Sequence, residues 1–244
     1  SSADDSDAFG DEVGPEGEPF PVEVGSFRVS TYPITYAQFA PFVEREEEGY
    51  GNPEHWTKAG LDWKQGRTQP EQWEERRDQC ANEPVIYVSW FEAHAYCGWL
   101  TEVLRRAGEL EPSEKVRLPT EPQWEWMARG SSGNKWPWGD EWQAEFCNGS
   151  EPGIGRPCAV GLFPKGASRW LADDDAQVHD LAGNVREWCA TRYVNYDDDY
   201  PRRTPDESLD DPAGDERCIV RGGSWNLLSK GCRCADRFWY NPSY

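Results

Sequence analysis

Arg221-Gly222-Gly223-Ser224-Trp225, followed by Cys232-Arg233-Cys234-Ala235-Asp236-Arg237, is the stretch on which the reading of this chain turns. Two earlier segments have to be read with it: Gly183-Asn184-Val185-Arg186-Glu187-Trp188 and Arg117-Leu118-Pro119-Thr120-Glu121. Directly after it, Phe238-Trp239-Tyr240 places three consecutive aromatics before the turn residues Asn241-Pro242. A strand sends successive side chains to opposite faces, so one face cannot bury all three. At least one is expected at the surface, where Trp and Tyr make the rigid, amphipathic contacts that dominate binding patches. Ordinary core packing is the competing expectation.

The formal charge of −20 would repel a phosphate backbone, which excludes nucleic acid as a partner. It favours cations or basic protein surfaces, and solubility in a crowded or salty cell. No apolar run approaches a membrane-spanning length, so no membrane is expected either. Hydrophobic residues make up only 37% of the chain, yet there are 14 tryptophans, enough area per residue to build an irregular core from few aliphatics. None of the eight cysteines forms a CxxC pair. With no secretory leader pattern, free thiols in a reducing cytoplasm are the expectation.

Residues 1–19 are acidic, rich in Gly and Ser and nearly devoid of apolar groups, and read as a flexible tail or linker. Residues 20–244 are expected to form one domain. Pro21 to Val29 alternates like a half-buried strand. Thr35-x-x-Gln38, Ser89-x-x-Glu92 and Thr120-x-x-Gln123 are capping boxes. They predict helices from Tyr36 to about Glu46, from Trp90 to about Ala107, and from Thr120 with Pro122 in the first turn. Between the first two, Gly49 to Asn82 reads as an irregular excursion. Beyond Gly130 periodicity fades into short, turn-punctuated segments such as Val178 to Leu181 and Arg217 to Val220, an α+β pattern of low regularity.

Six landmarks occur in a fixed order: Thr31-Tyr32-Pro33-Ile34-Thr35, Pro84 to Trp90 with Ala95-Tyr96-Cys97, Arg117 to Trp126, Pro137-Trp138-Gly139-Asp140, Gly183 to Trp188, and Arg221 to Trp225. Together they resemble the formylglycine-generating-enzyme-like (sulfatase-modifying factor) family across some four fifths of the chain. The resemblance implies a C-type-lectin-like α+β fold with a small twisted antiparallel sheet, two main helices and extensive loops. The family's usual final Gly-Phe-Arg strand has no counterpart before Tyr244.

The resemblance also implies a chemistry to test. Oxidases of the family use copper at two thiolates, soft donors that suit Cu(I). The matching positions are Leu227 and Cys232, and leucine offers no donor. Cys232 and Cys234 are the alternative pair, although on a strand their side chains would diverge. The neighbouring sulfoxide synthases hold iron through histidines, but His55, His94 and His179 lack metal-ligand spacing and are read as structural or surface residues. The family's calcium segment carries over onto Asp180 and Glu187 as side-chain ligands, with Gly183 and Val185 offering carbonyls to a hard cation. The competing expectation is carboxylates that bond loop amides and pair with Arg186. A second calcium position, beginning at Asn148 and Gly149, falls in a shortened loop.

Some family members are variable proteins of diversity-generating retroelements, which change the residues after Arg-Gly-Gly-Ser-Trp. The matching positions here are Leu227, Leu228, Lys230, Gly231, Cys234, Asp236, Phe238, Trp239, Tyr240, Ser243 and Tyr244, and with Trp225 they make the expected ligand-binding surface. The leading expectation is therefore a non-catalytic binding domain for a protein or other macromolecule. The alternatives are a copper-dependent formylglycine-generating oxidase using Cys232 and Cys234, and a structural module.

Overall fold

The computed structural model describes residues 24–168, 177–194 and 216–244. The expected tail over residues 1–19 lies outside them. The helices begin where local chemistry dictates. All three capping boxes form: Thr35, Ser89 and Thr120 each accept the amide of the residue three positions on, whose side chain returns a bond to the cap. They open α1 (Tyr36–Glu44), α4 (Trp90–Ala107) and α5 (Glu121–Arg129). The longest, α4, stops at Gly108, which takes up the left-handed conformation that caps helices. The tract from Gly49 to Asn82 is more ordered than its composition suggests, because Trp56, Trp63 and Trp73 dock two short helices, α2 (Lys58–Lys64) and α3 (Trp73–Arg76), onto α4 and its neighbours.

β1 (Glu187–Arg192), β2 (Cys218–Arg221) and β3 (Arg237–Tyr240) form a three-stranded antiparallel sheet in the order β1-β2-β3. Every residue of β2 is buried. Its successive side chains point into different cores, as the pleat requires. Cys218 joins an aromatic core built from Phe39, Phe42, Trp73, Trp90, Phe91 and Tyr96. Ile219 joins a second core with Trp124, Met127, Leu181, Cys189 and Cys234. The sheet is thus a partition between two apolar clusters.

Trp90 bridges the partition. It is fully buried, its indole donates to the Cys189 carbonyl on β1 at 2.9 Å, and its amide donates to the Pro242 carbonyl at 3.0 Å. Trp188 makes the reciprocal tie, donating to the Val88 carbonyl at 3.0 Å.

The expected strand at Pro21 to Val29 is corrected in part. Residues 21–23 lie outside the described residues, and Val24 to Val29 runs outside the sheet. The alternation had a real cause, since Phe27 and Val29 pack on the second core while Arg28 faces solvent and reaches Glu114 at 2.9 Å. Burial without ladder bonds produced a strand-like pattern. No helix among the described residues is long and apolar enough to cross a membrane, and all eight thiols are free.

Candidate functional site

The Arg221-Gly222-Gly223 turn leaves β2 and immediately organises the segment that follows. Gly222 and Gly223 have φ of 90° and 74°, open to glycine but strained for other residues. A Cβ on Gly223 would collide with the Gly231 carbonyl, so the loop can close only over a bare backbone. Arg221 has no exposed surface. Its Nη1 donates to the carbonyls of Ala235 and Asp236 at 2.9 and 3.0 Å, and its Nη2 to the Cys234 carbonyl at 3.0 Å and Glu125 Oε2 at 2.6 Å. Arg237 forks onto Glu121 with two bonds of 2.9 Å and donates to the Val194 carbonyl. The charges of the motif are therefore a buried clamp between α5, the sheet and the loop before β3.

Burial opposes ionisation of Glu125, but the guanidiniums of Arg221 and Arg129 work against it and hold the carboxyl below the ordinary 4.5. A carboxyl depressed on folding stabilises above its unfolded value, and that stabilisation disappears as pH falls through the folded value. A progressive loss of stability is therefore expected as pH falls below 4.5. Urea denaturation across that window should show Glu125→Gln with a shallower acid limb than the parent chain.

Outside the clamp the chain alternates between hidden framework and display. Cys232, Arg233, Cys234, Ala235, Asp236 and Arg237 are buried. Leu228, Lys230, Phe238, Ser243 and Tyr244 are exposed, and Trp225, Leu227, Gly231, Trp239 and Tyr240 are half-buried. Two expected surface positions are corrected. Cys234 sits in the second core because Arg221 draws its carbonyl inward, and Asp236 is held inside by Arg186 at 3.3 Å. The aromatics form a stacked patch: Tyr240 lies parallel to Tyr244 with centroids 4.4 Å apart, edge-on to Phe238 at 5.3 Å, and Arg217 covers Trp239 at 3.6 Å.

The calcium-type residues lie on the segment that leads into β1, whose first residue is Glu187. Asp180 accepts the Gly161 amide at 2.7 Å, and Glu187 accepts the Trp124 indole at 2.8 Å. Arg186 pairs with Asp236 instead of either carboxylate. Burial raises both acids, Glu187 to about 7, and the negative Asp180 adds to the rise at Glu187. Each keeps one carboxylate oxygen without a hydrogen-bond partner among the described residues. Two carboxylates that raise each other's cost of ionisation are the residue types that a hard divalent cation would favour.

The thiol pairs expected from sequence do not assemble. Leu227 packs beside Cys232 without offering a donor, and Cys234 belongs to a different cluster from Cys232. Cys232 instead packs in one small buried cluster with Cys147 and Ala182. Nothing in the linear sequence ties these distant residues together, and reading motif by motif missed Cys147. The histidines do not converge on a ligand set: His55 is buried against the Glu48 carbonyl, His94 stacks on Trp90 and His179 on Tyr32.

Comparison with known proteins agrees with this architecture. Hercynine oxygenase of Mycobacterium tuberculosis is 30% identical over 237 residues, which is 91% of this chain and 50% of that protein. The inactive C-alpha-formylglycine-generating enzyme 2 of Mus musculus is 28% identical over 248 residues, covering 86% of this chain and 67% of that one. The chain thus spans about half the length of the hercynine oxygenases it matches. Among solved structures, Treponema denticola variable protein 1 superposes with a TM-score of 0.53 at 22% identity, over 87% of this chain and 78% of that one, a likeness of fold. A family model described as the sulfatase-modifying factor enzyme 1-like domain matches residues 6–244, and this chain belongs to that family.

Proposed function

We propose that this domain is a non-catalytic binding module that holds a protein or other macromolecular ligand with the side chains displayed between Trp225 and Tyr244. The observation that carries the reading is the separation of framework from display: buried Arg221, Cys232, Arg233 and Arg237 fix the backbone, while Leu228, Lys230, Phe238 and Tyr244 face solvent. Rigid exposed aromatics beside a cation are the composition of a binding hot spot. A relative named as inactive and a fold shared with a variable protein support the same reading. In this reading the displayed codons belong to a diversity-generating retroelement. Sequencing the neighbouring DNA should then find a reverse-transcriptase gene and a near-copy of codons 225–244 differing at adenines. Finding neither would remove retroelement diversification and leave a module of fixed specificity.

Display also has a stability signature. Phe238→Ala and Tyr244→Ala should each change the unfolding free energy by less than ~1 kcal/mol, as surface substitutions do. Larger losses in a denaturant titration would make the patch part of the core.

The enzymatic reading draws on a relative named as the formylglycine-generating enzyme of Streptomyces coelicolor, 28% identical over 93% of this chain and 76% of that one. It requires that the chain, loaded with copper, convert the cysteine of a Cys-x-Pro-x-Arg peptide to the aldehyde. Mass spectrometry of that peptide should show it unchanged if the module is a binder.

Calcium at Asp180 and Glu187, aided by the Gly183 and Val185 carbonyls, would fasten the loop beneath the displayed surface. At a hundredfold excess over Kd it should stabilise the fold by ~2.7 kcal/mol. Thermal melting with calcium and with chelator should show that difference in the parent chain and not in Glu187→Gln.

A further inference from the structure

We infer that Trp142 and Glu151 form a subsite for an arginine side chain of a protein partner, beside the displayed loop. The inference rests on the reading of residues 225–244 as a binding surface, and it names the partner chemistry that one flank of that surface recognises.

Trp142 is tied to the loop through a shared floor. With Trp138 and Leu227 it packs against buried Cys147, Ala182 and Cys232. The Trp136 indole donates to the Ser229 carbonyl at 3.2 Å, and the Ser150 amide donates to the Leu227 carbonyl at 2.9 Å. Leu228, 64% exposed, follows directly. A partner that meets Leu228 therefore approaches a framework that also carries Trp142 and Glu151.

The tryptophans form an array, with the Trp142 ring centroid 5.4 Å from Trp136 and 5.7 Å from Trp138. Phe146 extends it, 5.7 Å from Trp138. Two of these rings carry a cation of this chain: Lys135 lies over Trp136 at 5.2 Å, and Lys165 over Phe146 at 5.7 Å. Half-buried Trp142 carries none among the described residues. Its indole N–H donates instead to Glu151 Oε2 at 2.6 Å. Glu151 is exposed and makes no ion pair among the described residues.

A carboxylate that accepts from an indole pushes electron density onto the ring and strengthens its pull on a cation above the face. The same carboxylate keeps a second oxygen for that cation. The pair thus offers a face and an edge at once. A guanidinium is planar, so it can lie on the indole and still donate, within its own plane, to a carboxylate at the rim. A lysine ammonium is a point charge on a flexible stem and satisfies both less well. Asp140, Glu141 and Glu145 are exposed on the same segment, and the chain carries a net charge of −20, so a basic surface is drawn toward it.

The test uses the full chain and a blocked Gly-Arg-Gly peptide as probe. Binding is followed through the tryptophan indole signals in proton–nitrogen correlation NMR, with Trp142→Phe identifying the reporter. The Trp142 signal should move saturably with the arginine peptide and less with its lysine counterpart. A citrulline peptide, equal in shape but uncharged, should leave it in place. Glu151→Gln should weaken the arginine peptide roughly fivefold. Glu54→Gln removes the same charge from an exposed site outside the array and should leave the affinity unchanged. Both are surface substitutions, so the comparison does not depend on a variant that fails to fold. A Trp142 signal indifferent to the arginine peptide, an equal response to the lysine or citrulline peptide, or equal affinity in Glu151→Gln and Glu54→Gln would each overturn the subsite. Failure of the display reading is read separately, as core-sized losses of stability in Phe238→Ala and Tyr244→Ala, which the peptide titration does not measure.

Discussion

Replacing Arg221 by methionine should lower the unfolding free energy by ~3–5 kcal/mol, the cost of removing one partner from a buried ionic network. The guanidinium satisfies three backbone carbonyls and reaches Glu125 at 2.6 Å and Glu121 at 3.7 Å. Methionine has similar bulk, so the loss comes from unpaired acceptors and from a Glu125 carboxylate deprived of its strongest counter-charge. Lysine restores charge but not the planar fork, and Arg221→Lys should recover only part of the loss. Urea denaturation should give that order: parent, lysine, methionine. Equal stability of the lysine variant and the parent would mean that charge alone, and not the geometry of the fork, holds the loop.

Trp90→Ala should cost a comparable ~3–5 kcal/mol, by a different mechanism. The side chain is fully buried against Phe91 and His94, and its removal leaves a cavity where the two cores meet. Trp90→Phe keeps much of the volume and loses the bond to the Cys189 carbonyl, so a smaller loss of ~1–3 kcal/mol is expected. Because Trp90 joins α4 to β1 and to Pro242, both variants should unfold in one transition with an unchanged m-value. A second transition would show that the partition separates two independently melting halves.

What could be read from sequence divides along physical lines. The capping boxes were legible because their chemistry is local, three residues from donor to acceptor, and α1, α4 and α5 start where those residues stand. The family landmarks were legible because a buried arginine fork and a turn closed over bare backbone tolerate few residue types. The central strand was harder: β2 is four residues long and buried on both faces, so it has no alternation to detect. Val24 to Val29 erred in the other direction, with alternation but no partner strand. Of the site, the displayed aromatics followed from strand geometry, and Phe238 is 43% exposed. The burial of Cys234 and Asp236 did not, because it depends on where a distant arginine sends its donors. The approach of Cys147 to Cys232 lies wholly in tertiary structure.

The Arg221 fork grips carbonyl oxygens, the one acceptor that every amino acid carries. Its hold on the loop is therefore blind to the side chains the loop bears. A new residue at Lys230, Phe238 or Tyr244 changes what the surface presents while the grip beneath stays the same. Selection can rewrite the text of this surface without renegotiating the binding of the page.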